Sequence, residues 1–534
     1  MAYLASNYVG ESIMSAIQAY AEEPFGTFSD FVAMQAVARP DQDALCCGEM
    51  RLDYAGFDAR ANQIAARLQA DGVRPGGVVA ICAASCVDYL CVFLGTLRTG
   101  AAIAPLSPSA TPAQLAAMIN DCGASHVVLD AAVSDHLSEA LAARPGGLKA
   151  VPLALEAGAV GTRLDAWLAD APARPEPVTI TPDMAFNIIY SSGTTGTPKG
   201  IVQSHAMRWP HNHLTDPVGF GPDAVTLCAT PLYSNTTLVS VLPTLAGGGT
   251  LLLMPKFDAH GFLELAQAHR ATHSMLVPVQ YQRILAEPDF DQFDLSSYRL
   301  KFCTSAPFSA ALKAKVLERW PGGLVEYYGM TEGGGSCVLV AHEHRDKLHT
   351  VGKAMPGHDL RVIDAEGQEC APGEIGEVVG RSGAMMTGYH GQPEKTREAE
   401  WYGPDGERFI RTGDLASRDA DGFFTIVGRA KDMIISGGMN IYPADLEAIL
   451  REHDAVADVA VIGVPSEDWG ETPVACVVPV AGRPVTPDTL KTFANAQLGK
   501  MQRISAVRLM DELPRSAIGK VLKRELQDGW SKAG

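Results

Sequence analysis

The hydrophobic pattern of the chain switches repeatedly between two periods. Between residues 53 and 72, Phe57, Ala61, Ile64, Ala65 and Leu68 recur at intervals of three and four, which places them on one face of a helix. The continuous apolar run 76–82 reads as a buried strand. Residues 86–99 then predict an apolar helix, 101–106 a strand, 111–121 a helix and 124–130 a strand. Such alternation implies parallel pairing through right-handed crossovers. A proline-rich stretch, 171–181, reads as a linker between a first unit and a second one running from about 182 to 345. In the second unit, 185–190 is strand-like. Strands at 224–228 and 249–254 flank a helix at 236–245, and strands at 300–305 and 324–328 bracket a helix at 310–320. From about 346 to 428 the texture changes to short strands with Gly/Pro turns, the pattern of a small distorted β-barrel. From about 432 onward a separate compact α/β unit is expected.

Composition narrows the classes of function. At 534 residues the chain is too long for one core. With 47% hydrophobic and 19% charged residues it reads as a globular protein, not a disordered one. The formal net charge of -18 argues against nucleic acid as a partner, because nucleic-acid binding needs a basic face. The eleven cysteines are odd in number and form no C-x-x-C pair, which suits reduced thiols and a cytoplasmic location better than disulfides or zinc. Residues 1–20 show no signal-peptide pattern, and no apolar run has membrane-spanning length.

The densest candidate chemistry follows the 185–190 strand: Ser191, Ser192, Gly193, Thr194, Thr195, Gly196, Thr197, Pro198, Lys199, Gly200. Glycines let backbone N–H groups approach a ligand. Successive N–H groups, hydroxyls and a lysine can hold a polyphosphate. The Walker pattern fails, since Lys199 is followed by Gly200 and not by Ser or Thr. A second stretch, Glu326, Tyr327, Tyr328, Gly329, Met330, Thr331, Glu332, ends a predicted strand, where ligands of open α/β sheets bind. There an aromatic ring can stack on a purine, Thr331 can bond the α-phosphate, and Glu332 can hold Mg²⁺, which prefers one or two carboxylates plus phosphate oxygens. The plainer alternative is a strand end with a solvated glutamate. A third stretch, 409–414, carries Asp414 beside Gly413, where a carboxylate can accept from both ribose hydroxyls, or simply close a β-turn. Near the C-terminus Lys520 follows Gly519 in a loop.

In this order the stretches resemble the motifs of the adenylate-forming superfamily of acyl-CoA synthetases, adenylation domains and luciferases, most closely the acyl-CoA ligases. The resemblance runs from about residue 30 to 525. It implies an α/β fold: a large N-terminal AMP-binding domain, 1–430, of two αβαβα-type subdomains plus a distorted β-barrel, then a small mobile lid domain, 431–534. By the same resemblance, Ser305, Ala306 and Pro307 join the adenine cradle and Arg429 contacts ribose. Lys431 is the hinge, and Ser436, Gly437 and Gly438 form the wall along which pantetheine slides. Lys520, Lys199, Thr331 and Glu332 are the implied catalytic groups, with Lys520 bridging the carboxylate and the α-phosphate. The implied acyl pocket is lined by Tyr233, Ser234, Asn235 and Thr236, by Phe302 and Cys303, and by Gly333, Gly334 and Gly335. Ser234 stands where such ligases usually carry a histidine. The three glycines predict a roomy wall, or else only a flexible turn.

The activity implied is ATP-dependent ligation of a carboxylic acid to coenzyme A through an acyl-adenylate, with Mg²⁺. The expected acid is medium-chain, cyclic or aromatic, with an oxygen substituent near Asn235. The alternatives are loading of a carrier-protein pantetheine, a luciferase-like oxygenase, and a non-catalytic nucleotide-binding protein. Expected partners are the small-molecule acid, ATP and CoA, with no nucleic acid and no membrane span; a homodimer is compatible with the sequence.

Overall fold

The computed structural model describes residues 13–142, 150–190, 199–213, 219–436, 439–499, 502–516 and 519–531. The predicted elements form where the periodicity places them. The helix Tyr54–Ala70 buries Phe57, Ala61, Ile64, Ala65 and Leu68, and the Asp53 side chain caps it by accepting from the Gly56 N–H. Thr111 and Gln114 form a capping box at the start of Pro112–Asp121, satisfying N–H groups that have no partner inside the helix. The helix Val87–Arg98 is buried almost all round, as its largely apolar sequence requires.

Two large mixed sheets carry the N-terminal part. In the eight-stranded sheet the order runs Gly388–Tyr389, Gly200–Ser204, Ala185–Tyr190, Ala102–Pro105, Val78–Cys82, His126–Leu129, Val151–Ala154, Thr162–Arg163. The nine-stranded sheet has five consecutive parallel strands at its centre, Gly323–Tyr328, Leu300–Cys303, His273–Leu276, Val225–Cys228 and Thr250–Leu253. The strand Asp43–Cys47 then pairs in parallel with Thr250–Leu253.

This pairing corrects the division drawn at the 171–181 linker. The strand before the phosphate loop, Ala185–Tyr190, belongs to the first sheet through its pairing with Ala102–Pro105. The N-terminal strand Asp43–Cys47 belongs to the second. Periodicity identifies a strand but not its partner, so two units that exchange strands look contiguous along the chain.

Residues 359–429 form a five-stranded antiparallel sheet with register shifts between Glu377 and Val379 and between Leu415 and Ala416. Such bulges bend and twist a sheet, which accounts for the distortion expected there. The short 3-10 turn Ala430–Asp432 leads from this sheet to another five-stranded one, which begins at Ile434–Ser436. Its core is Ile434, Ile441, Leu446, Leu450, Val459, Val461, Ala475, Val477 and Leu490, separate from the N-terminal cores. Among the described residues no helix is long and apolar enough to cross a membrane, and all eleven cysteines are free.

Candidate active site

The carboxyl ends of the central parallel strands hold the predicted residues together. Ser305, two residues past Leu300–Cys303, has φ +80, a left-handed conformation that non-glycine residues rarely adopt. Its hydroxyl meets the Thr236 hydroxyl. Strained backbone of this kind persists only where the surroundings over-determine it, and it clusters at functional sites. Phe302 stacks on Phe220 and Tyr327, with ring centroids 5.5 and 6.0 Å apart. Cys303 points to the opposite face and is fully buried.

Beside this turn, Ser234 is the N-cap of the helix Asn235–Ala246 and accepts from the Thr236 N–H at 3.3 Å. The residue that departs from the usual histidine therefore has a local structural task. Serine is among the preferred N-caps. Tyr233 is half-buried, and desolvation raises its phenol pKa.

A second group gathers around Asp414. Its Oδ2 accepts from the Tyr328 hydroxyl at 2.8 Å, and its Oδ1 faces Arg429 Nε at 2.8 Å. Lys520 reaches the same locus from the C-terminal unit. Burial lowers its ammonium pKa, nearby Arg429 and Lys431 lower it further, and Asp414 and Asp432 oppose the shift. The turn that carries it is closed by Ser516 N–H to Lys520 C=O and Gly519 N–H to Ser516 C=O, both 2.8 Å. Gly519 has φ +77, and a Cβ there would lie 2.9 Å from Val279 Cγ1. Glycine allows both the turn and its seating against Val279.

A third group joins residues distant in sequence. Glu332 Oε1 accepts from the Tyr389 hydroxyl at 2.9 Å, and Lys199 Nζ lies 5.4 Å from the Tyr389 ring centroid. Among the described residues only Tyr389 donates to this carboxylate, which leaves its other oxygen for a cation. That fits Mg²⁺, which needs few protein ligands when phosphate oxygens supply the rest. Bound there, the ion would neutralise charge on phosphate oxygens. Met330 packs on the Ile201–Met386–Ile410 cluster. Gly329 approaches Ser336 Oγ closely enough that a Cβ would lie 2.9 Å from it. Ala306 is half-buried and Pro307 exposed at the surface of the turn.

Two expectations change. The Glu326 side chain is 4% exposed and lies 2.5 Å from the Lys313 ammonium, so it does not face a nucleotide. Burial raises its carboxyl pKa and Lys313 opposes the shift. Lys313 also donates to the Leu348 and Thr350 carbonyls at 2.8 and 2.9 Å. Glu326 and Tyr327 point to opposite faces of the strand Gly323–Tyr328, a periodicity that the motif reading did not apply. Lys313→Ala is expected to destabilise the protein by about 3–5 kcal/mol, because it leaves a buried carboxylate unpaired. Denaturant unfolding with a variant shift below about 1 kcal/mol would contradict that.

The second concerns the glycines. A Cβ at Gly333 would lie 2.0 Å from the Ala384 carbonyl oxygen, at Gly334 2.7 Å from that of Gly380, and at Gly335 2.5 Å from Leu360 Cγ. Their missing side chains therefore serve a close approach to the 380–385 chain. They do not open a wall, and a leucine at Gly334 would disrupt that packing before it narrowed a pocket.

Ser191, Ser192, Gly193, Thr194, Thr195, Gly196 and Thr197 lie outside the described residues, as do Gly437 and Gly438; Ser436 is buried at the end of its strand. The motifs also missed Tyr389, Gln203 and Arg208. Gln203 Nε2 donates to the Thr331 carbonyl at 2.6 Å, and Arg208 donates to Gln203 and Asn235. Tyr389 comes from a two-residue strand paired with Gly200–Ser204, a contact with no sequence signal. Arg208 did leave one: a lone cation between Met207 and Trp209.

A site of phosphate-loop strand, Tyr328–Asp414–Arg429 cluster and C-terminal lysine is that of a nucleotide-dependent enzyme, and the comparisons agree. The AMP-binding enzyme family matches residues 32–390, and the AMP-binding enzyme C-terminal domain matches 445–520. The chain belongs to the AMP-binding enzyme family. It is 35% identical to a feruloyl-CoA synthase of Amycolatopsis sp over 91% of this chain and 96% of that one. It is 30% identical to the fatty acid–[acyl-carrier-protein] ligase ScoC of Streptomyces coeruleorubidus, over 94% and 96%. The crystal structure of ATP-bound MatB from Rhodopseudomonas palustris superposes with a TM-score of 0.85 at 31% identity, covering 95% of this chain and 99% of that one. The apo form of the same protein gives 0.72.

Proposed function

We propose that the protein is an AMP-forming acyl-CoA ligase that joins a carboxylic acid to coenzyme A through an acyl-adenylate. The observation that carries this reading is the convergence of Lys520 with Asp414 and Arg429, groups from either side of the Ala430–Asp432 turn, at one locus. On this reading Asp414 takes the ribose hydroxyls, Tyr327 borders the purine, Thr331 bonds the α-phosphate, and Lys199 with the 191–198 stretch holds the β- and γ-phosphates. The substrate carboxylate attacks the α-phosphorus and pyrophosphate leaves. Lys520 offsets the charge that grows on the phosphoryl oxygens, the kind of preorganised cation that dominates such steps. The lid, 431–534, then turns about Lys431, withdraws Lys520 and brings Ser436 and the following glycines to the site. The CoA thiol attacks the acyl carbon and AMP leaves.

The feruloyl and indoleacetate ligases among the relatives favour an aromatic acid, and the fatty-acid ligases keep a medium chain in view. ScoC, named as a carrier-protein ligase, keeps one second reading: transfer to a carrier-protein pantetheine. Unpaired cysteines suit a reducing, cytoplasmic setting. The test is AMP release across a panel of aromatic, cyclic and medium-chain acids, with and without CoA. Acid-dependent AMP release that CoA accelerates, with a thioester as product, is expected. Thioester on a carrier protein but none on CoA would select the second reading, and acid-independent release would sink both.

The pH profile follows from Lys520. Burial and neighbouring cations hold its pKa below the ordinary lysine value. The cation is the working form, so adenylation is fully active below that pKa and lost as pH rises through it. Pyrophosphate exchange should show an alkaline limb that Lys520→Arg moves to higher pH, since a guanidinium stays charged. An unmoved limb would assign it to another group.

A further inference from the structure

The most unusual group outside the motifs is Arg208, which is 1% exposed and has no carboxylate partner among the described residues. Its Nη2 donates to Asn235 Oδ1 at 2.5 Å and to Gln203 Oε1, both neutral. Its Nε has no partner among the described residues. The face of the Phe186 ring lies 6.0 Å from the guanidinium carbon. The surroundings add no negative charge. His211, beside it, is held neutral by burial and by Arg208 itself, with a pKa near 3, and His358 is also near His211. Burial alone lowers the Arg208 pKa to about 9, with no acid opposing it. Other buried polar atoms of this locus are unpartnered too: both amide atoms of Asn187, His205 Nε2 and Asn212 Oδ1. Asn187 faces Gln203 across the strand pair.

A lone buried cation is strongly unfavourable unless something pairs with it. Unsatisfied buried groups in a native protein need an explanation, and a ligand is one. At the two groups nearest the acyl pocket the free capacity is for an acceptor. Arg208 Nε is a donor. Asn235, half-buried at the start of its helix, spends its oxygen on Arg208, which leaves its NH₂ donors. Both face an acceptor. In a chain of net charge -18, a buried cation with no carboxylate beside it among the described residues is a local inversion of the overall charge.

We propose that Arg208, positioned by Gln203 and with Asn235 beside it, is the specificity-determining residue that binds a second oxygen acceptor, carried on the acid away from its reacting carboxylate. Gln203 ties this patch to the Thr331 carbonyl, so the second oxygen is read at a fixed distance from the reacting end. The class of substrate is an acid with a distal carboxylate, or a carbonyl or aryl hydroxyl oxygen. The charged form is preferred, because only it neutralises the guanidinium. This rests on the ligase reading above, with Asn235 in the acyl pocket.

The test uses two matched sets, hexanoate against adipate, and cinnamate against 4-hydroxycinnamate and 4-carboxycinnamate. The readout is kcat/KM for acid-dependent ATP–pyrophosphate exchange without CoA. In the wild-type protein at least one oxygen-bearing acid should exceed its unsubstituted partner by about 10- to 100-fold, the range for hydrogen bonds to a charged group. In Arg208→Met, of similar length but without donors, that ratio should fall toward one, mainly through KM of the oxygen-bearing acid. A merely structural role would lower both acids alike and leave the ratio unchanged, which would overturn the proposal. Should Arg208→Met fail to fold, the wild-type ratios decide: preference for the unsubstituted acid in both sets overturns it. Exchange with none of these or any panel acid would instead overturn the ligase reading, and this inference with it.

Discussion

Lys520→Ala is expected to remove acyl-adenylate formation while leaving transfer to CoA from supplied acyl-AMP largely intact. Lys520 lies within the field of Asp414 and Arg429, where the α-phosphate would sit on the proposed assignment. It is held there by the Gly519 turn seated on Val279. Its charge meets charge that develops only in the transition state, so its removal acts on the rate of the first step. The loss should be at least about 10²- to 10³-fold, the effect of deleting one preorganised donor at developing charge. On the proposed lid rotation the lysine has left before the second step, and the same substitution has nothing to remove. Single-turnover pyrophosphate exchange and thioester formation from acyl-AMP separate the two. Equal loss in both would mean that Lys520 acts by holding the fold or by binding nucleotide uniformly.

Lys431→Pro should divide the half-reactions the other way. Lys431 lies in the 3-10 turn Ala430–Asp432, between the last strand of one sheet and the first strand of the next. Proline fixes φ near −65°, a value that suits a 3-10 turn, so the arrangement with Lys520 at Asp414 is retained. The ATP-bound MatB structure, with a TM-score of 0.85 against 0.72 for its apo form, is the better match to this arrangement. The proposed rotation of the lid needs a different φ/ψ at Lys431. Pyrophosphate exchange should therefore persist while thioester formation falls by orders of magnitude. A variant that performs both steps at wild-type rates would take the hinge away from Lys431.

Much of this was legible in the chain because the relevant signals are local. Helix 54–70 announced itself by its spacing, and the site motifs lie at strand ends, where a change from apolar run to glycine and hydroxyl marks a turn. What escaped depends on contacts far apart in sequence. The exchange of strands 43–47 and 185–190 between the two sheets is one case. Tyr389 on Glu332 and Gln203 on Thr331 are others. Glu326 was misjudged because a motif was read as a unit, although its residues alternate between ligand side and core. The Gly333–Gly335 run was misjudged for a related reason. A missing side chain makes room in one direction only, and here that direction holds the backbone of residues 380 and 384.

The acyl-adenylate is the central claim, and labelling the acid carboxylate with oxygen-18 tests it most directly. Attack of that carboxylate on the α-phosphorus places one labelled oxygen in the bridge, and attack of the thiol at the acyl carbon leaves it on phosphorus. Mass spectrometry of the products should find one oxygen-18 atom in AMP and none in pyrophosphate, with the other retained in the thioester. Unlabelled AMP, or label in inorganic phosphate accompanied by ADP, would contradict the adenylate route.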